Sequence, residues 1–339
     1  MSALGHPEGE SVSTQGSGSP VGAPAMDAEL QRRVLEGLQQ PHKSLPAALF
    51  YDDEGTRLFQ QITALPEYYL TRAEDALLRA QADAMAALLT PPHGSALELV
   101  ELGSGDGAKT LPLCAALHAR CAALVYRPVD AAALALQQLV ARFAAALPAL
   151  PVAPVCGDYF RHWPAARPGA RQAALFMGSN LGNYTRDEAL ALLRGVRDRL
   201  AAGDRLLLGL DLKKDPHAIR AAYDDAAGIT AQFNLNLLRR LNRECGFDFD
   251  LAHFRHYASY DPLDGTARSF LVSRCAQRVA SRTLGVTLHF AAGETIYTEQ
   301  SQKYDAPLIE ALAAGSGFAV ERHFTDAPGG YTVVAWRAA

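Results

Sequence analysis

No stretch of this chain is apolar for long enough to span a bilayer, which takes roughly 20 consecutive apolar residues. Its start has no basic segment followed by an apolar one, so neither a secretory leader nor a membrane association is expected. Cysteine is scarce. Cys114, Cys121, Cys156, Cys245 and Cys275 form no CxxC pair, and their odd number argues against a disulfide framework. A reducing, cytoplasmic setting is the expectation. Positive charge is not in excess either: 32 Lys and Arg stand against 36 Asp and Glu, and the basic residues are scattered rather than striped. Nucleic acid is therefore not an expected partner. The ten histidines are dispersed and no cluster has metal-ligand spacing, so no metal is expected. What the chain has in quantity is apolar material, 49% of 339 residues, enough for one large domain or two. A monomer acting on a small molecule is the expectation these absences leave.

The most informative stretch is Leu97–Thr110. Leu97–Leu102 reads as a buried strand, Gly103-Ser104-Gly105-Asp106-Gly107 puts glycine at alternate positions, and helical spacing resumes from Lys109, with Pro112 near the helix start. Strand, glycine-rich turn and helix form the first unit of a doubly wound nucleotide-binding sheet. The spacing is G-x-G-x-G after Glu101, not the G-x-G-x-x-G of a dinucleotide site. It resembles motif I of S-adenosylmethionine-dependent methyltransferases. Asp130 ends the next strand-like run, Ala122 to Asp130, at the distance expected of an acid that binds ribose hydroxyls. A short strand over Val152–Asp158 ends in Gly157-Asp158-Tyr159, where an acid can accept from an adenine amino group and a neighbour can cover the ring. Ala173–Met177 and Arg205–Leu212 supply a fourth and a fifth strand. Phe318–Phe324 and Tyr331–Arg337 read as a hairpin that finishes the sheet.

Elsewhere the pattern is less regular. Residues 1–25 are rich in Gly, Ser and Pro and are expected to be a flexible tail. The Pro66-Glu67-Tyr68-Tyr69 corner suits packing more than ligand binding, although a tyrosine can serve either end. Gly178–Asn183 follows the fourth strand, at the sheet edge where open α/β folds bind ligands, and Asn183 can both donate and accept toward an amino-acid headgroup. After Lys213 the alternation lapses into a helical segment, His217–Cys245, and strands over Phe254–Tyr260, Ala267–Cys275 and Leu284–Phe290, an α+β insertion. Gly293–Tyr304 follows. If it is extended, Glu299 and Ser301 share a face and can grip one ligand; the competing reading is a solvated polar turn.

Five segments in this order, YDDEGTRLFQQITALPEYYLTRAE, VELGSGDGAKT, FMGSNLGNYT, AYDDAAGITAQFNLNLL and TIYTEQSQKY, resemble the histidine Nα-methyltransferase family of ergothioneine biosynthesis, from about Ser44 onward. The resemblance implies an α/β fold: a class I, Rossmann-like methyltransferase sheet with an inserted α+β substrate-binding domain. Residues 26–72 with 214–303 would form the substrate-binding domain, and 73–213 with 304–339 the methyltransferase domain. It implies trimethylation of the α-amine of L-histidine to hercynine with S-adenosylmethionine. Gly103, Gly105, Lys109, Asp130, Asp158 and Tyr159 would contact the cofactor. Tyr51, Asn183 and Tyr223 would hold the amino-acid end of the substrate; Tyr68, Glu299 and Ser301 would hold its imidazole. Two alternatives stay open. Ser269 and Gln300 favour another amino acid or amine as acceptor, and a non-catalytic binding protein would keep the fold without the chemistry.

Overall fold

The computed structural model describes residues 26–339 other than 93, 94 and 160; the tail expected over 1–25 lies outside the described residues. Its larger sheet has seven strands in the spatial order Phe318–Thr325, Tyr331–Ala338, Arg205–Asp211, Arg171–Phe176, Leu97–Leu102, Leu124–Asp130, Val155–Cys156. The last five run parallel, and the hairpin of Phe318–Thr325 and Tyr331–Ala338 joins antiparallel. Leu97–Leu102 is buried along its whole length, which is why it reads as an apolar run rather than an alternation. One face packs Leu97 and Leu99 against the helices Leu70–Leu89, Leu111–Arg120 and Ala133–Ala146. The other packs Val100 and Leu102 against Arg186–Arg197 and Ala306–Gly315.

Leu97–Leu102 has Leu124–Asp130 on one side and Arg171–Phe176 on the other. Strand order reverses there, and the crevice between the carboxyl ends of these strands is where such sheets bind ligands. The two loops that leave those ends are Gly103–Gly107 and Gly178–Asn183.

A second body contains a four-stranded sheet in the order Lys43–Ser44, Thr295–Gln302, Thr266–Ser273, Phe254–Asp261. Its core draws Val34, Leu49, Phe50 and Leu58 from before the large sheet, and Phe233, Leu237, Leu271 and Ile296 from the insertion. Phe50 and Phe233 stack with ring centroids 4.4 Å apart.

Three local expectations change. The strand expected over Val152–Asp158 shrinks to Val155–Cys156, because Pro154 has no N–H to continue the ladder; Val152 keeps only an isolated bridge to Tyr126. The run from Leu284 is one arm of a hairpin, Gln277–Ser281 with Val286–Phe290, and the first arm is not among the expected strands. Gly293–Tyr304 is not a solvated turn: Thr295–Gln302 is an interior strand of the smaller sheet.

Candidate functional site

Two adjoining cavities lie at the carboxyl edge of the large sheet. The first, of about 260 Å³, is lined by Glu101, the Gly103–Asp106 turn, Lys109 and Gly178, among others. Gly103 (φ 70°) and Gly105 (φ 56°) occupy the left-handed region, which glycine enters without a Cβ penalty. A Cβ on Gly105 would meet nothing within 4 Å, so its backbone faces open space. Gly107 serves packing instead, since a Cβ there would approach Leu139 Cγ to 2.7 Å. The turn is held by Asp130, whose carboxylate accepts from Gly105 N at 2.8 Å and from Ala132 N at 2.8 Å. Ser104 lines the cavity with its Oγ buried and without a hydrogen-bond partner. Burial pushes Glu101 up to about 7, although Thr110 and Tyr126 hydroxyls donate to it. Lys109 pairs with buried Glu74, which also accepts from Gly178 N and Tyr331 Oη, each at 2.6 Å.

The second cavity, about 70 Å³, brings together Tyr51, Tyr68, Asn183, Tyr223, Glu299 and Ser301. It shares Phe59, Tyr68, Leu70, Gly178 and Asn180 with the first, so the two meet at one wall. Tyr68 both packs and lines: its ring stands edge-on to Tyr223 and to Phe59, 6.4 and 6.3 Å between centroids. Tyr51 sits at the rim, 59% exposed. Glu299 and Ser301 face inward because of a bulge between Tyr297 and Glu299. Ile296 and Thr298 point into the same side before the bulge, Ile296 into the core and Thr298 Oγ1 to Asn234 at 2.6 Å. One extra residue then shifts the alternation, and Glu299 and Ser301 turn in after it. Burial pushes Glu299 up to about 7, against the opposing pull of nearby Asn234 and Ser269 and of the Lys303 charge.

Asp130 lines neither cavity, and neither do Asp158 and Tyr159. The latter two follow Val155–Cys156, which pairs with the end of Leu124–Asp130, and Tyr159 Oη lies 2.9 Å from Tyr184 Oη. Several lining residues carried no signal strong enough to single them out. Asn180 belongs to the same turn as Asn183 and reaches both cavities, behind Ser179, which is held at φ 55°. Phe59 and Thr230 come from the helices Asp53–Ala64 and Ile229–Cys245, where they read as ordinary helical positions. Lys303 is fully buried behind Ser301 and Tyr223. It extends the alternation Glu299, Ser301, Lys303, which was its visible trace.

The family model described as "Histidine-specific methyltransferase, SAM-dependent" matches residues 30–338. The chain is 38% identical over 311 residues to a histidine N-alpha-methyltransferase of Mycobacterium tuberculosis, covering 92% of this chain and 95% of that one. It is 40% identical over 304 residues to a protein of the same name from Mycolicibacterium smegmatis, covering 89% and 92%. It is 32% identical over 286 residues to ergothioneine biosynthesis protein 1 of Neurospora crassa, covering 81% of this chain and 31% of that one.

Proposed function

The chain belongs to the S-adenosylmethionine-dependent, histidine-specific methyltransferases, and from this premise we propose how its two cavities divide the work. It is an enzyme that methylates the α-amine of histidine. The first cavity takes the methyl donor. Its residues fit such a group: Gly103 and Gly105 bare their backbone, and the orphaned Ser104 hydroxyl is free to bond a polar atom. Outside the cavity, Asp130 braces that turn while keeping lone pairs for ribose hydroxyls, and Asp158 with Tyr159, beyond the next strand, would serve the adenine end. When bound, S-adenosylmethionine supplies an electrophilic methyl on a sulfonium.

The second cavity takes histidine. Tyr51, Asn183 and Tyr223 hold the amino-acid end, and Tyr68, Glu299 and Ser301 hold the imidazole. The observation that carries this division is the wall of Phe59, Tyr68, Leu70, Gly178 and Asn180 common to both cavities. An amine anchored in one can face a methyl carbon held in the other. In-line displacement needs little covalent help, so holding a neutral amine in place supplies most of the rate enhancement, and solvent takes the proton. The tyrosine faces tolerate the growing ammonium over three transfers to hercynine. The five unbridged cysteines accord with a reducing compartment such as the cytoplasm.

Calorimetric titration of L-histidine, Nα,Nα-dimethylhistidine, tryptophan and tyrosine into protein holding S-adenosylhomocysteine tests the reading, with mass spectrometry of a turnover. Binding of the histidine series and a gain of three methyl groups is the expected result. Heat from another amino acid with silence for histidine would move the acceptor.

A further inference from the structure

No part of the Lys303 side chain is exposed, and the same holds for Asp211, its ion-pair partner at 2.8 Å. The lysine nitrogen also donates to Tyr223 Oη at 2.7 Å and to Ser301 Oγ at 2.9 Å. An ammonium has three hydrogens and no lone pair, so these three bonds exhaust it. Ser301 and Tyr223 must both act as acceptors toward Lys303, and neither hydroxyl can donate to it. Their own hydrogens turn toward each other or into the cavity that both line. A hydroxyl that accepts from a cation is a stronger donor in turn, and the ammonium behind it disfavours a second cation in front. Glu299, two residues before Ser301 on the same face, carries no donor when ionised.

We propose that Lys303 is a positioning residue that favours Ser301 as a donor toward the bound ring, so that Glu299 and Ser301 together read neutral imidazole, one N–H and one bare nitrogen. This rests on the reading that Glu299 and Ser301 hold the imidazole. Lys303 is placed for the task by the chain itself. Thr295–Gln302 ends one residue before it, and Tyr304 N then bonds Asp211 O at 2.9 Å, tying the substrate strand to the end of Arg205–Asp211. A buried ion pair is weak evidence of stabilisation on its own. Here its donors point at two residues of the pocket wall.

The test uses the whole protein with S-adenosylhomocysteine bound. Lys303→Met keeps the stem and removes the donors, and Asp211 retains Tyr69 Oη and Lys214 as partners. Dissociation constants are measured for histidine and for 3-(2-thienyl)alanine, which has a ring of similar size without nitrogen. Histidine binding weakens tenfold or more in the variant, thienylalanine several-fold less, since it loses only the Lys303 support of Tyr223, and S-adenosylhomocysteine shifts less than twofold. A merely structural lysine would weaken both ring ligands alike, and an unchanged histidine-to-thienylalanine ratio overturns the proposal. On the wild-type protein, nitrogen NMR of ring-labelled histidine is expected to show one protonated and one bare nitrogen. That spectrum decides alone if K303M loses S-adenosylhomocysteine, and a ring protonated at both nitrogens overturns the proposal. Wild-type protein that binds S-adenosylhomocysteine but no histidine refutes the underlying assignment of the pocket instead.

Discussion

If the proposed imidazole contact is right, acceptor specificity turns on Glu299, and its removal has a calculable cost. In the pocket it is the one carboxylate among the six residues assigned to the substrate, facing a cavity of only about 70 Å³. A hydrogen bond to a charged group contributes about 1.5–3 kcal/mol, and each 1.4 kcal/mol is about tenfold in affinity. Glu299→Ala is therefore expected to weaken histidine binding by about 10- to 150-fold. Glu299→Gln keeps a neutral acceptor and loses less. Neither variant changes affinity for S-adenosylhomocysteine, because Glu299 lines only the second cavity. The pH dependence follows from burial, which raises this carboxyl from 4.5 to about 7. The ionised form is the acceptor, so histidine binding strengthens as pH rises through about 7 and weakens by up to about tenfold per unit below it. Histidine titrates in the same range, so the ratio of wild type to E299Q isolates the contribution of the enzyme. Calorimetry from pH 5.5 to 8.5 reads both effects. An E299A protein that binds histidine normally, or a wild-type/E299Q ratio flat across that range, refutes the imidazole role.

Asp130→Ala frees Gly105 N and Ala132 N and removes the ribose acceptor; S-adenosylhomocysteine affinity should fall about tenfold or more, and an unchanged titration would remove Asp130 from the cofactor site. Glu74→Ala strands Lys109, Gly178 N and Tyr331 Oη around a buried vacancy, a loss of about 3–5 kcal/mol that a denaturant melt detects. Glu101 is raised by burial from 4.5 to about 7, so between those values the folded state holds a proton that the unfolded state has released. Stability therefore falls as pH rises through that window, and Glu101→Gln should flatten the slope of denaturation midpoint against pH.

The parts of this protein that could be read in advance are those set by spacing along the chain. Leu97–Leu102 and Arg205–Asp211 are buried on both faces and announce themselves as apolar runs, and the glycine turn between Leu102 and Lys109 has few other uses. The six residues proposed for the substrate were legible as types at suggestive spacings; that they line one cavity was not. Three things hid the layout of the sheet edge as a whole. Pro154 cut short the strand before Asp158, so the acids at the sheet edge do not stand in equivalent positions. The bulge at Thr298 breaks the alternation that would otherwise put Ile296 and Glu299 on opposite faces. The buried ions find partners far along the chain: Glu74 takes Tyr331, and Lys303 takes Tyr223 and Asp211. No local period encodes such pairs. They have a common location, since Glu74 holds the Gly178 turn and Lys303 holds the strand carrying Glu299 and Ser301. The two cavities are therefore set against each other by buried charges that bridge the large sheet to the segments lining its edge, and mutations at those charges should disturb donor and acceptor binding separately, Glu74 the first and Lys303 the second.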